Sequence, residues 1–431
     1  MKIQLLNKFN AEKYFKYAVI IAIITVIIKA YFEHSISSTI LAGDESFYYQ
    51  ESEYLKKYGL YKSLTQGTSL LFSIIIVLCS KLFGTTLLVA GRIYSVIAFV
   101  ASSAILYKIL KKYTELSAAI IAFTLIYFAG MCRTWLWVEL ADLASMPFVL
   151  GALYLILHNK GYVSVALSGL LLFLGFAIKP TCLIMLPAFI AGVAVLRYRT
   201  YGLKQSAISV LIMGSIFVFC FGLYHLPGYK EQGRLMLESK NHTYNGEKRV
   251  ENKTSWVERN VYLELYNVNN KINNWHITWE EVDTFKMLHP EINLNLSTSE
   301  YITQNPIAHL KKTISKIALF LPYEIQSGFF FCKWNIVNHW VKNYFIIQFI
   351  TMLLIVSMYV REREIIKKNN VLFLIVSVYF LSLSLYVFID LQSNWLLWCI
   401  PFFALPVVSF LTRYINITAL IILQILFMAV I

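Results

Sequence analysis

Asp44 and Glu45 are adjacent acids just past the first apolar segment, within Thr39-Ile-Leu-Ala-Gly-Asp-Glu-Ser-Phe-Tyr-Tyr-Gln50. Only 14% of the residues are charged, and a charge at depth in a membrane is expensive enough to be kept mainly for a task. The chemistry open to such a pair is proton removal from a hydroxyl or binding of a hard cation through oxygen. A solvated loop start is the plainer alternative, because loop acids are commonly exposed.

More charges sit at the ends of apolar segments: Lys81, Arg92, Arg133, Glu139, Asp142, Lys179 and Asp390. A cavity holding both signs suits a phosphate-bearing substrate, in which cations bind the phosphate and an acid activates the attacking hydroxyl. Each residue also has a plainer role. Arg92 and Lys179 can snorkel to headgroups. Glu139 and Asp142, three apart, share a helix face and can pair with Arg133. Asp44, Glu45 and Glu139 could hold a divalent cation, but their spacing is not diagnostic, and the metal question stays open.

The elements that must position these groups are membrane helices. Hydrophobic residues make up 58% of the 431 and mean hydropathy is +0.61, too apolar for a soluble chain of this size. Runs such as Tyr17 to Ile28 and Val371 to Ile389 are apolar on all faces, which excludes the alternating pattern of a transmembrane barrel. The first apolar run follows a polar segment and lacks a small-residue cleavage site, so no cleaved signal peptide is expected. The net charge of +14 comes from dispersed short clusters, which form no basic stripe for nucleic acid. The six cysteines stand singly, with neither a disulfide framework nor a CxxC pair.

Spans are expected at 17–38, 88–110, 116–132, 138–157, 162–178, 181–196, 205–225, 343–360, 371–389, 395–412 and 415–431. These eleven put Lys108 to Lys112, Arg197 to Lys204, Arg361 to Lys368 and Arg413 on the cytoplasmic side, as the positive-inside rule asks. Residues 68–83 are short and end near Lys81, and residues 307–331 are interrupted by Lys311, Lys312, Lys316, Pro322 and Glu324. Both are expected to lie as helices in the outer interface, with snorkelling lysines.

Three regions follow. Residues 1–225 form an N-terminal transmembrane catalytic module with a first external loop at 39–87, residues 226–342 an extracytoplasmic cap, and residues 343–431 the C-terminal spans. The polar stretch from about Pro227 to Lys312 is long enough to be functional. Near its end, Ile307, Leu310, Ile314 and Ile317 fall on one helical face, with Asn305-Pro306 as its start. On this topology Asp44, Glu45, Lys81, Arg92, Arg133, Glu139, Asp142 and Lys179 all lie on the outer side.

An ordered series of segments resembles the GT-C glycosyltransferases that use polyprenyl-phosphate sugars, the glycosyltransferase family 39-like group of protein O-mannosyltransferases and the lipid A aminoarabinose transferase. Gly43-Asp-Glu-Ser-Phe-Tyr-Tyr49 is similar to the family's Asp-Glu-x-x-Tyr after the first span. Lys81-Leu-Phe-Gly84 and Ala90-Gly-Arg-Ile93 resemble its Leu-Phe-Gly and Ala-x-Arg-Leu segments. Arg133 to Asp142 resembles its second acidic turn, Gly175-Phe-Ala-Ile-Lys-Pro180 its Gly-hydrophobic-x-x-Lys segment, and Asn305-Pro306 its late external loop. The chain departs from the family at Gln66-Gly-Thr-Ser69, where paired prolines are common, and at Asn394-Trp395, where an Arg-Tyr is common.

The resemblance implies an all-α polytopic bundle of GT-C type that moves a sugar from a polyprenyl-phosphate donor to a hydroxyl of a glycan, lipid or protein acceptor. It implies Asp44 as general base and Glu45 orienting the acceptor or a divalent cation. It further implies Arg92, Lys179 and Lys81 on the donor phosphate, with Arg133, Glu139 and Asp142 at an acceptor or second acidic site. Membrane lipids are expected partners and nucleic acid is not. Two other functions fit the same charges: a flippase or transporter for a lipid-linked saccharide, and a polysaccharide polymerase or ligase. Charges on one side, with no inverted repeat, weigh against the carrier. Sparse external arginine (Arg234, Arg249, Arg259) weighs against the polymerase.

Overall fold

The computed structural model describes residues 20, 24, 45–65, 70–113, 141–158, 161–233, 243–244, 247–248, 287–288, 290 and 303–307. They form seven principal helices: α1 (Glu45–Leu64), α2 (Leu70–Phe83), α3 (Leu87–Tyr113), α4 (Ala141–His158), α5 (Tyr162–Ile178), α6 (Met185–Tyr201) and α7 (Leu203–Gln232). A 3-10 helix, Pro180–Ile184, leads into α6, and a small antiparallel hairpin pairs Thr243–Tyr244 with Glu247–Lys248. The expected spans at 17–38, 116–132 and from 343 onward lie outside the described residues, apart from Ile20 and Ile24. So does the helix expected after Ile307, although Asn305-Pro306 is described and exposed.

Two of these helices are long and apolar enough to cross a membrane: Leu87–Ile109, of 23 residues, and Leu203–Glu231, of 29. α2, with 14 residues, reaches only about 21 Å at 1.5 Å per residue, short of a hydrocarbon layer about 30 Å thick. Leu70, Phe72, Ser73 and Ile76 bury one face of α2 against α1, α3 and α5, while Leu78 and Leu82 are exposed on the other.

α5 is the centre of the described bundle, packing against α4 on one flank and α7 on the other. Small residues make this possible, as is usual where apolar helices approach closely. Ser168 donates its hydroxyl to Ala152 O at 3.1 Å and to Ser164 O at 2.7 Å, tying α5 to α4 as well as to its own preceding turn. A Cβ on Gly169 would lie 2.6 Å from Met213 O of α7, so only glycine fits that crossing. Toward one end of the seam, the rings of Phe173 and Phe176 interlock with Phe217 and Tyr224.

Three local findings differ from the sequence expectations. Residues 45–64, read as part of an external loop, are helical, with a break at Gly59 (φ 80, ψ 173). Their sequence has no apolar run, but Glu45, Tyr48, Ser52 and Leu55 recur at helical spacing and are buried. The expected span at 181–196 begins as a 3-10 turn because Pro180 supplies no N–H and holds Lys179 extended (φ −134, ψ 110). α7 runs through Pro227, where the external loop was expected to start, and stops at Gly233. That glycine takes the left-handed conformation (φ 67), and its N–H reaches Tyr229 O at 2.8 Å.

Candidate active site

One end of the bundle gathers five helix segments around a single cluster. Tyr48 of α1, Phe72 and Ile76 of α2, Leu87 and Ala90 of α3, Ala141 and Ala144 of α4, and Ile178 of α5 form one buried core. The start of α1, α3 and α4 and the finish of α5 therefore meet there. Tyr48 and Phe72 stack edge to face at 4.9 Å, and Phe72 lies 6.1 Å from the Tyr94 ring. The Tyr94 hydroxyl donates to Ala144 O at 3.4 Å, linking α3 to α4.

Within this end lies a buried ion pair. Arg92 Nε donates to Glu45 Oε1 at 2.7 Å and Nη2 donates to Oε2 at 2.9 Å, a bidentate geometry, and both side chains are 0% exposed. Such a pair is favourable only with excellent geometry, because both charges lose their hydration. Glu45 is also the first residue of α1, where the helix dipole favours a carboxylate. The pair thus fixes the start of α1 onto α3, 47 residues away in sequence.

Asp44 directly precedes Glu45, but it lies outside the described residues, as do Arg133 and Glu139. Asp142 is the second residue of α4, beside buried Ala141. Lys179 follows Ile178, is half-buried, and caps α5 with its N–H on Gly175 O at 2.9 Å. The backbone at Glu45, Arg92, Asp142 and Lys179 is thus brought to the same end, each residue being in or next to the buried cluster or the ion pair. Lys81 is exposed in the last turn of α2, just before the Gly84 turn (φ 62). Arg92 was expected to meet a donor phosphate; in the structure it is fully buried with two of its donors on Glu45.

Other polar groups nearby escaped the sequence reading. Glu51, one turn beyond Tyr48, accepts the Ser73 hydroxyl at 3.4 Å, and Leu70 N–H donates to the Tyr224 hydroxyl at 3.0 Å. These contacts tie α1 to α2 and α2 to α7. Tyr224 and His225 fall at the end of an expected span, and a polar pair in that position was the available signal. Tyr49, packed against the edge of the buried cluster, donates to Glu53 Oε1 at 2.8 Å. That bond raises the phenol's pKa above its ordinary value. Among the described residues no group of three or more His, Cys, Asp or Glu is placed to hold a metal; Asp44 and Glu139 lie outside that set.

The described chain is therefore a bundle with two membrane-length helices and a polar site built where several helix ends meet. No family model matches it, and no curated protein is significantly similar. Among solved structures, the crystal structure of ArnT from Cupriavidus metallidurans bound to undecaprenyl phosphate is similar, with a TM-score of 0.40 and 12% identity over 90% of this chain and 77% of that chain. A likeness of this degree fixes neither the fold family nor the chemistry of this chain.

Proposed function

We propose that this protein is an integral-membrane glycosyltransferase of GT-C type, moving a sugar from a polyprenyl-phosphate donor to an acceptor hydroxyl on the extracytoplasmic face. The observation that carries the reading is the buried Glu45–Arg92 pair, which anchors the backbone next to Asp44 at the end where Asp142 and Lys179 also lie. In this reading Asp44 removes the proton as the acceptor oxygen bonds to the anomeric carbon. The bond from that carbon to the phosphate oxygen breaks, and polyprenyl phosphate leaves with inversion. Lys179, with Lys81 at the rim, neutralises the charge that grows on the departing phosphate. Arg92 acts through Glu45 as a positioning residue, and the segment from Arg133 to Asp142 contributes acceptor contacts.

The test is Asp44→Asn with purified protein and a polyprenyl-phosphate sugar. Transfer is expected to fall by about 10²- to 10⁴-fold, the usual contribution of a positioned base, while donor binding and thermal unfolding stay near wild type. Transfer at wild-type rates would end the proposal. A lipid-linked saccharide carrier would instead tolerate the substitution in a flux assay.

A further inference from the structure

The second half of α1, Lys56-Lys-Tyr-Gly-Leu-Tyr-Lys62, is exposed at every position. Tyr58, Leu60 and Tyr61 are 48%, 52% and 56% exposed, an unusual display of apolar surface among three cations. Gly59, at φ 80 and ψ 173, breaks the helix here and turns Leu60 and Tyr61 away from the line of residues 45–58. Lys57 Nζ sits 5.0 Å from the Tyr58 ring centroid, and Tyr54 packs on Tyr58 at 4.5 Å.

The level of this elbow follows from the two ends of α1. Its start is held by Arg92, near the beginning of α3. Its finish lies against Gly228, near the end of α7, where an added Cβ would be 3.4 Å from Leu64 O. Those are the ends of the two membrane-length helices. The elbow between them thus lies where a bilayer's headgroups would be.

We propose that residues 56–62 dock into the headgroup layer and select anionic phospholipid. Tyrosine is suited to that layer because its ring is apolar and its hydroxyl is wet, and lysine because its stem can lie along lipid while its ammonium meets phosphate. Leu60 enters the acyl boundary between the two tyrosines. The three lysines, with no acid between Lys56 and Lys62, give the preference for negative headgroups. The inference rests on reading α3 and α7 as spans, and it gives the membrane part of the proposed function a specific surface.

Photo-crosslinking tests it. Full-length protein carrying Tyr61→p-benzoylphenylalanine is placed in nanodiscs of equal parts phosphatidylglycerol and phosphatidylcholine, illuminated, and its adducts are identified by mass spectrometry. Phosphatidylglycerol adducts are expected to exceed phosphatidylcholine adducts about fivefold, an enrichment in line with surface lysines near anionic lipid. Adding Lys56→Gln, Lys57→Gln and Lys62→Gln should bring the ratio near parity while lipid adducts still form. Parity in the unsubstituted protein, or a polypeptide adduct in place of lipid, would overturn the proposal. So would loss of the preference when inorganic phosphate replaces sulfate at constant ionic strength, since the ligand would then be free phosphate. Sugar transfer without lipid adducts at residue 61 refutes this inference alone; lipid adducts without transfer refute the catalytic proposal alone.

Discussion

Replacing Arg92 by Met should unfold this protein far more readily than its isosteric volume suggests. The substitution keeps the bulk of the side chain but removes the two hydrogen bonds, of 2.7 and 2.9 Å, that Arg92 gives the Glu45 carboxylate. That carboxylate is 0% exposed and so gains no water in exchange. Breaking such a pair from one side costs about 3–5 kcal/mol. Coulomb attraction between charge centres about 4 Å apart at an effective dielectric constant near 20 gives about 4 kcal/mol, the same scale. Replacing both partners, as Glu45→Leu with Arg92→Met, removes the stranded charge and should cost less than either single change. The assay is unfolding free energy in mild detergent for wild type, both singles and the double. A coupling energy above about 2 kcal/mol is expected, since contacting buried charges lie at the upper end of measured pairs. Additive single effects, or an Arg92→Met cost below about 1 kcal/mol, the range of exposed pairs, would refute the reasoning.

Two further outcomes are expected. Gly169→Ala puts a methyl 2.6 Å from Met213 O, a backbone atom that cannot swing aside. It should cost about 1–3 kcal/mol by overpacking. Gly151→Ala meets only the Leu171 Cδ1 end at 3.2 Å and should stay within about 1 kcal/mol; the same detergent unfolding compares them, and equal costs would contradict the crossing geometry. For the chemistry, Lys179→Met should lower kcat by about 10²- to 10³-fold, the loss typical of one charge-stabilising group. Lys179→Arg should recover part of it, and a purely structural Lys179 would instead change unfolding and leave kcat intact.

The apolar helices were legible because a run of hydrophobic residues needs no partner to be recognised: α3, α4, α5 and α7 overlap the spans expected at 88–110, 138–157, 162–178 and 205–225. α1 was not, because its lysines, glutamates and tyrosines have no hydropathy signal. Its face of Tyr48, Ser52 and Leu55 is buried only once the helix packs in the fold, Tyr48 against Phe72 of α2. The acid-base segments could be named from charge economy alone, yet their pairing could not. Arg92 and Glu45 are 47 positions apart, and nothing in either neighbourhood says that the guanidinium turns to that acid rather than toward a ligand. Lys179 was visible as a charge ending a span, whereas its extended backbone comes from Pro180, one residue on.

The central place of Tyr162–Ile178 sets an order for biogenesis. Ala141–His158 is already synthesised when this helix emerges, so that hairpin can close early through the Ser168 bond to Ala152. Its other flank must wait for Leu203–Gln232 to leave the ribosome. The tight crossing at Gly169 can therefore close only after the hairpin with Ala141–His158, and obstruction there would leave a half-assembled intermediate for quality control to degrade.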